Sequence, residues 1–401
     1  MDAESAAGSE AERLRAELVD RLRADRLVES ARVEAALRKV PRHLFLPHFT
    51  LPDAYADLPV VTKRASDGTP RSSASQPAIV ARMLEQLDVR PGDNVLEVGA
   101  GTGYNAALLA ALGATVTTLD IDADVAAEAR DRLPPETTVV CGDGELGYPP
   151  NAPYDRLIVT AGAGNLPTAW LDQLTPAGRI VVPLRIRGLC RSIAFDRFGD
   201  RLVSGSMEVC GFIPLRSAGP EAERSIPLHE KGPMHEKGPA TDVVLVANAE
   251  HPADAQTLSG VLNLPRIAVW TGVRPQRMEH LDLWLAALDG GCRLFAHPGA
   301  VKAGLVAPAG PHGAAAVASR TGLAYLARHP NGRELGCYAH GPDAGHLAAR
   351  MVAEIGKWHR LGHPEARVTA HPAGAPAGGP VIGVPHGLLT ITWNNSPRNG
   401  L

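Results

Sequence analysis

The stretch Val95-Leu96-Glu97-Val98-Gly99-Ala100-Gly101-Thr102-Gly103-Tyr104 decides the fold of this chain. An apolar run typical of a buried strand passes into three glycines in the pattern G-x-G-x-G, and a helix is predicted to follow. Because glycine lacks a Cβ, the backbone here can turn tightly and come close to a ligand. The spacing differs from the G-x-G-x-x-G of nicotinamide cofactors, and the Lys-Ser/Thr pair of a phosphate-binding loop is missing. A glycine-rich turn without a ligand is the alternative.

The predicted elements on either side of this stretch alternate between strand and helix. Short β-branched and aliphatic runs predict strands, and longer Ala- and Leu-rich runs predict helices. Their alternation predicts βαβ units and an α/β fold around a parallel sheet. The predicted strands are 94–98, 115–120, 138–140, 155–160 and 179–183, the helices are 77–87, 104–112 and 122–133, and a β-hairpin is predicted from 191–195 and 201–206.

The residues before the sheet are expected to be helical first and irregular afterwards. Leucine and valine recur at helical spacing over 9–40, and Val40-Pro41 then ends the helix. The Pro-, Asp- and Ser-rich segment 41–74 predicts a loop. Ser75 precedes the helix at 77–87 and is expected to cap it.

Two carboxylates are predicted to lie beside the glycines. Asp120 ends the second strand, roughly twenty residues after the glycines, where a carboxylate can accept both ribose hydroxyls of a nucleoside. Asp143, in Cys141-Gly142-Asp143-Gly144, follows the third strand and can accept from an adenine amino group. Both acids stand at the carboxyl ends of parallel strands, where ligands of open α/β sheets bind. A helix-capping or surface role is the alternative for Asp120.

Length and composition predict a globular protein of two domains. The chain has 401 residues, of which 45% are hydrophobic and 21% charged, and it is too long for one ordinary core. Regular patterns fade between 216 and 240, where His229-Glu230-Lys231-Gly232-Pro233 recurs as 235–239; this favours a solvated linker over the alternative, a metal-binding tract. The predicted regions are 1–74, helical with a substrate loop; 75–215, cofactor-binding; 216–240, a linker; and 241–401, a smaller α/β or α+β accessory domain for substrate recognition.

Charge and cysteine usage exclude some classes of partner. The net charge of −3 gives no basic field, so we expect no nucleic-acid partner. The five cysteines are scattered and form no CxxC pair, which favours reduced thiols in a cytoplasmic protein without a metal site. The polar N-terminus and the lack of a long apolar run predict neither a signal peptide nor a membrane span.

Several further motifs surround the glycine stretch. They are Val40-Pro41-Arg42-His43-Leu44-Phe45-Leu46-Pro47, Ala54-Tyr55-Ala56-Asp57, Ser75-Gln76-Pro77, Gly142-Asp143-Gly144, Ala152-Pro153-Tyr154-Asp155-Arg156-Leu157-Ile158-Val159-Thr160 and Gln173-Leu174-Thr175-Pro176-Ala177-Gly178-Arg179-Ile180-Val181-Val182-Pro183. Through these motifs the chain from 40 to 185 resembles the protein-L-isoaspartate O-methyltransferases. The Val-Pro-Arg-His and Ser-Gln-Pro motifs are specific to that family, whereas many methyltransferases share the glycine motif.

The resemblance implies a Rossmann-like class I methyltransferase fold, S-adenosyl-L-methionine as methyl donor and a peptide carboxylate as acceptor. Ser75 falls at the position of the family's active-site serine, so it is the predicted catalytic residue, with Ser73 second. The predicted cofactor residues are Glu97, Gly99, Ala100, Gly101, Gly103, Asp120, Ile121, Asp143, Gly144 and Thr160.

Two departures from the family pattern bear on the substrate. The family stretch Ile-Gly-x-Gly-Gln-Thr-Ile-Ser is replaced by the longer segment 61–75, and a further domain follows residue 215. Both features resemble variant methyltransferases found beside ribosomally made lanthipeptides and graspetides. The sequence therefore predicts esterification of an aspartate in a precursor peptide, leading to aspartimide or isoaspartate. Isoaspartyl repair of damaged proteins is the first alternative, and a non-catalytic nucleoside-binding protein is the second.

Charged residues in the replaced segment add one expectation about the acceptor. Lys63, Arg64 and Arg71 could attract an acidic peptide, and a solvated charged loop is the alternative.

Overall fold

The computed structural model describes residues 3–216, 223–229, 242–311, 313–372, 381–384 and 387–394. The chain divides into two compact units. Unit 1 is Met1–Leu184, Cys190–Gly219 and Ala370–Pro372, and unit 2 is Arg185–Leu189, Pro220–Thr369 and Ala373–Leu401. The predicted N-terminal region 1–74 therefore shares unit 1 with the predicted cofactor-binding region.

The first elements of unit 1 differ from the sequence prediction. The helix predicted over 9–40 is two helices, because Ser30 starts a new one by accepting a hydrogen bond from the Val33 amide. The predicted loop 41–74 contains a short helix and an antiparallel hairpin, whose turn is stabilised by Gly68 at a φ of +83°. The elements are α1 (Ala3–Ala24), α2 (Ala31–Lys39), α3 (Leu51–Tyr55), β1 (Val60–Arg64) and β2 (Pro70–Ala74).

The main sheet of unit 1 confirms the predicted α/β class I methyltransferase fold. Parallel pairing joins β3 to β4 and β6, β4 to β5, and β6 to β7, while β8 and β9 form an antiparallel hairpin. The strand order is β9-β8-β7-β6-β3-β4-β5. The elements are α4 (Pro77–Leu87), β3 (Asn94–Val98), α5 (Tyr104–Ala111), β4 (Thr115–Asp120), α6 (Ala123–Arg132), β5 (Thr138–Cys141), β6 (Tyr154–Val159), α7 (Thr168–Asp172), β7 (Leu174–Ile186), β8 (Leu189–Phe198) and β9 (Arg201–Val209).

The start of α4 is held by a residue other than the predicted cap. Gln76 occupies the N-cap position and forms no side-chain capping bond, and Pro77 follows it. The Asp57 carboxylate accepts from the Ala78 amide at 2.8 Å and from Gln76 Nε2 at 3.0 Å. A side chain from an earlier segment thus satisfies the helix terminus, so the prediction that Ser75 caps α4 is wrong.

Unit 2 is built on an antiparallel sheet with the order β10-β11-β13-β14-β15-β16-β12. The buried side chains of α10 include Leu347, Met351, Ile355 and Trp358, whose helical spacing gives this helix one apolar face. The elements from Pro220 onward are β10 (Glu223–His229), β11 (Val243–Asn248), β12 (Ile267–Trp270), α8 (Met278–Ala286), β13 (Gly291–Ala296), α9 (Pro298–Lys302), β14 (Gly313–Ala318), β15 (Leu323–Arg328), β16 (Leu335–His340), α10 (Ala344–Arg360), β17 (Glu365–Pro372), β18 (Val381–Val384) and β19 (Gly387–Asn394).

The segment predicted as a linker, 216–240, is partly regular. Residues 223–229 form β10, which pairs with β11, because Ile226 and Leu228 alternate toward the core. The remainder of the charged repeat, from Glu230 onward, lies outside the described residues. Within the described ranges, no helix is both long and apolar enough to cross a membrane.

Candidate functional site

A pocket in unit 1 opens where the parallel strands end. Four segments supply most of its wall: Arg71–Ser75, Val98–Thr102, Leu119–Ile121 and Phe212–Arg216. The second and third segments follow β3 and terminate β4, so the sheet itself fixes their positions. The carboxyl ends of parallel strands are the usual ligand site of such folds.

The glycine loop forms one wall through its backbone. The Gly99 and Ala100 amides donate to the Leu119 carbonyl at 2.7 and 2.8 Å, which holds the loop against β4. Gly99 has a φ of +103°, and a Cβ there would lie 2.5 Å from Thr160 Oγ1. Only glycine is therefore compatible with this position.

Asp120 and Ile121 continue this wall. The Gly101 amide donates to Asp120 Oδ2 and the Asp122 amide to Asp120 Oδ1, both at 3.0 Å, so backbone donors fix the carboxylate. Each carboxylate oxygen retains acceptor capacity for a ligand hydroxyl. Ile121 is 40% exposed and supplies apolar surface next to the acid. A glycine cradle, an oriented carboxylate and an apolar side chain fit an adenosyl group.

The structure brings most predicted site residues to the pocket. Seven of the ten predicted cofactor residues and both predicted serines line it; they are Gly99, Ala100, Gly101, Asp120, Ile121, Gly144, Thr160, Ser73 and Ser75. Three predicted cofactor residues do not line it. Gly103 starts α5 at a φ of +88°, and the Asp143 carboxylate accepts from the Glu145 amide at 3.0 Å, which caps a short 3-10 helix.

Glu97, the third of these, is completely buried behind the wall. Its carboxylate accepts from Asn105 Nδ2 at 2.8 Å and from the Thr118 hydroxyl at 2.5 Å. Burial raises the pKa of Glu97 to about 7, against the two hydrogen bonds that favour the charged form. Glu97 thus fixes the side chain of Asn105, which itself lines the pocket.

A second wall carries hydroxyl groups from β2 and the residue after it. Ser72, Ser73 and Ser75 line the pocket, and a Cβ on Gly101 would lie 3.8 Å from the Ser73 carbonyl oxygen, so β2 passes close to the glycine loop. The Ser73 and Ser75 hydroxyls make no hydrogen bond to any residue that the structure describes. They are therefore available to a ligand in the pocket.

Arg42 is a pocket residue to which the sequence analysis gave no site role, although it lies in the Val-Pro-Arg-His motif. It is 1% exposed, and it donates from Nε to the Ala54 carbonyl and from Nη2 to the Ser75 carbonyl, each at 2.9 Å. Its guanidinium carbon lies 5.0 Å from the centre of the Tyr104 ring. Burial lowers the pKa of Arg42, and Nη1 has no partner among the described residues. Arg42 thereby anchors the backbone that carries Ser75.

The remaining wall comes from Phe212–Arg216, which also had no predicted role. This segment follows β9, and the Gly162 amide donates to the Ile213 carbonyl at 2.8 Å. Arg216 lies 3.8 Å from an Asp122 carboxylate oxygen. No sequence motif indicates that this segment lies at the pocket. It is brought there only because β9, which precedes it, runs antiparallel to β8.

Comparison with known proteins identifies the group to which this chain is similar. The family model described as protein-L-isoaspartate (D-aspartate) O-methyltransferase matches residues 12–219. A relative from Methanoregula boonei, named protein-L-isoaspartate O-methyltransferase, is 42% identical over 205 residues, or 50% of this chain and 92% of its own.

Solved structures give a second comparison. A structure named protein-L-isoaspartate O-methyltransferase covers 94% of this chain and 99% of its own, with a TM-score of 0.50 and 19% identity, which speaks to the fold alone. A methyltransferase from Thiobacillus denitrificans in complex with S-adenosyl-L-homocysteine covers 27% of this chain and 48% of its own, with a TM-score of 0.24 and 21% identity. With the family model spanning unit 1 from α1 to the end of the pocket wall, the chain belongs to the protein-L-isoaspartate (D-aspartate) O-methyltransferase family, S-adenosyl-L-methionine-dependent carboxyl methyltransferases.

Proposed function

We propose that this protein methylates the α-carboxylate of L-isoaspartyl residues in peptides or proteins. The observation that carries the proposal is the pairing of two walls in one pocket, a glycine loop with Asp120 on one side and unbonded serine hydroxyls on the other. The first wall suits the donor and the second suits a carboxylate. The names of the relatives support isoaspartate as the acceptor.

The reaction needs orientation more than acid–base chemistry. S-adenosyl-L-methionine supplies a methyl group made electrophilic by its sulfonium. The acceptor carboxylate, with an ordinary pKa near 4, is already ionised at pH 7, so no general base is needed. Ser75 is proposed to donate a hydrogen bond to one carboxylate oxygen and thereby aim the other at the methyl group.

The residues around Ser75 serve this orientation. Arg42 holds the Ser75 carbonyl, so the backbone of the nucleophile-orienting residue is fixed from inside the core. Ser73 is the second candidate for the acceptor, because its hydroxyl lines the same wall. The glycine loop, Asp120, Ile121, Gly144 and Thr160 are proposed to hold the donor, with Glu97 positioning Asn105 behind them.

A precursor peptide with a genuine aspartate is the second candidate acceptor. The specific observation behind it is the β1–β2 hairpin, which stands where the family has a shorter stretch. Unit 2, proposed as an accessory domain for substrate recognition, is weaker support. The solved structure named isoaspartate O-methyltransferase covers 94% of this chain, so its match extends beyond the residues that the family model covers. A second unit thus does not distinguish peptide tailoring from repair.

The test is a methylation assay read by mass spectrometry. The protein is incubated with S-adenosyl-L-methionine and two linear peptides of one sequence, one with L-isoaspartate and the other with aspartate at the same position. A third substrate is a macrocyclised peptide containing that aspartate. We expect a gain of one methyl on the isoaspartyl peptide alone.

Methylation of the macrocycle alone would replace the repair proposal with the tailoring one. Binding of S-adenosyl-L-homocysteine without turnover of any peptide would show a non-catalytic nucleoside-binding protein.

A further inference from the structure

The side chains at the pocket carry an excess of positive charge. Three arginines line it, namely Arg42, Arg71 and Arg216, against one carboxylate, Asp120. The Asp120 oxygens already accept from two backbone amides. Arg42 is buried and bonded to two carbonyls, and Arg216 lies 3.8 Å from Asp122. Arg71 is the exposed member of the three without such a partner among the described residues.

The other basic residues of the hairpin are committed elsewhere. Lys63 Nζ lies 2.7 Å from Asp122 Oδ1 and 2.9 Å from Asp124 Oδ2. Arg64 Nη1 donates to the Gly68 carbonyl at 2.9 Å, and Arg64 does not line the pocket. The same role, attraction of an acidic peptide, is predicted from the sequence for Lys63, Arg64 and Arg71. In the structure, Lys63 and Arg64 have partners, whereas Arg71 has no hydrogen bond or ion pair with the residues described.

Arg71 is placed at the acceptor side of the pocket. It begins the run Arg71–Ser75 that forms the serine wall, and it forms no hydrogen bond or ion pair with the residues described. Its charge acts on Asp67, in the turn of the same hairpin. The pKa of Asp67 is lowered first by hydrogen bonds from Thr69 and further by the charge of Arg71. Asp67 is itself exposed, so it leaves the Arg71 charge largely open to a ligand.

We propose that Arg71 is a specificity-determining residue that selects peptides with a second carboxylate next to the methylated one. This inference rests on the proposed function. The acceptor carboxylate is assigned to Ser75, and the charge of Arg71 at the pocket rim then meets the side chain of a neighbouring residue. An exposed rim charge acts mainly on association and is screened by salt.

The experiment compares matched isoaspartyl peptides that carry Glu, Gln or Lys on both sides of the acceptor. Glu and Gln have the same shape, so their ratio isolates charge. We expect the natural protein to favour the Glu peptide over the Gln peptide by about three- to tenfold in kcat/KM at low salt. Arg71→Ala should bring this ratio close to one, and Arg71→Glu should make the Lys peptide a better substrate than the Glu peptide.

Arg64→Ala is the control, because it removes a charge from the same hairpin without touching the pocket. It should keep the natural Glu-to-Gln ratio. Equal losses on all peptides in Arg71→Ala would overturn the inference, since Arg71 would then hold the acceptor carboxylate itself. A ratio of one in the natural protein, or the same effect in both variants, would also overturn it. Failure to methylate any isoaspartyl peptide would instead refute the proposed function beneath it.

Discussion

The two walls of the pocket are built in opposite ways. The glycine wall consists of backbone, held by hydrogen bonds that the Gly99 and Ala100 amides donate to the Leu119 carbonyl, and the Asp120 carboxylate in it is already oriented by backbone amides. The serine wall consists of side chains on and next to a hairpin whose register shifts between Val61 and Arg64. The Ser73 and Ser75 hydroxyls in it form no hydrogen bond with the residues that the structure describes. A preformed wall suits a donor that never changes, whereas a wall of free groups suits an acceptor that varies between substrates.

The largest effect is expected from breaking the glycine wall with Gly99→Ala. The new Cβ would lie 2.5 Å from Thr160 Oγ1 at a φ of +103°, and strain of this kind costs of order 1–3 kcal/mol. We expect donor binding, measured by calorimetry with S-adenosyl-L-homocysteine, to weaken by up to about 150-fold. Gly92→Ala is the control, since Gly92 has a φ of +89° and a Cβ added there would have no atom within 4 Å. Equal donor binding in both variants would contradict a preformed wall.

The serine wall is broken by Ser75→Ala, which should act on catalysis and leave folding intact. Losing a hydrogen bond to a charged acceptor predicts a fall of about 10- to 100-fold in kcat/KM. The melting temperature should not move, because Ser75 is not the cap of α4.

Asp57→Ala is the matched variant for that helix start. It removes the acceptor of the Ala78 amide and should cost about 1 kcal/mol in the free energy of unfolding. A lower melting temperature in Ser75→Ala, or an unchanged one in Asp57→Ala, would assign the helix start to the serine after all.

The third prediction concerns Glu97, which lies behind the glycine wall, and the dependence of folding stability on pH. The folded pKa of Glu97, about 7, lies above its ordinary 4.5, so the folded state binds the proton more tightly than the unfolded state. Its contribution to stability is full below pH 4.5 and is lost as pH rises to 7, a change of about 3 kcal/mol. Urea unfolding at several pH values should show this loss in the natural protein. Glu97→Gln should lack it, and parallel pH profiles for the two proteins would disprove the assignment.

The smallest effect on donor binding is expected from removing the ion pairs that join the hairpin to the start of α6. Lys63 bridges the hairpin to Asp122 and Asp124 at the start of α6, but it is 34% exposed. Lys63→Met keeps the apolar stem and should weaken donor binding by less than about fivefold. Because salt screens exposed pairs, the difference from the natural protein should shrink at high ionic strength. A difference that persists in salt would mean that the pair is not a surface contact.

The glycine wall could be predicted from the sequence because its signal is local. An apolar strand, three glycines and a helix follow one another without interruption, and Asp120 ends the next strand. The predicted class I methyltransferase fold is confirmed for the same reason, since alternating strands and helices specify a parallel sheet. In unit 2 no strand is predicted at β14, because the run Gly313–Ala318 is mostly alanine and has no β-branched residue until Val317.

The serine wall could not be predicted in the same way. The hairpin is polar and contains proline, serine and aspartate, so its composition indicates a loop even though it pairs in β fashion. The contacts that position Ser75 come from distant segments of the chain: Arg42 is 33 residues away and Asp57 is 21 residues from Ala78. Only the fold brings such residues together.

The hydrogen bonds that Asp57 accepts at the start of α4 allow folding stability and acceptor preference to be varied separately in this protein. The helix that supports the sheet begins on a carboxylate outside the run Arg71–Ser75, so that run is not needed to start it. A library randomised over Arg71, Ser72, Ser73 and Ser75, with Asp57 and the buried core residue Ala74 left unchanged, should therefore keep a constant folding yield while its acceptor preference changes.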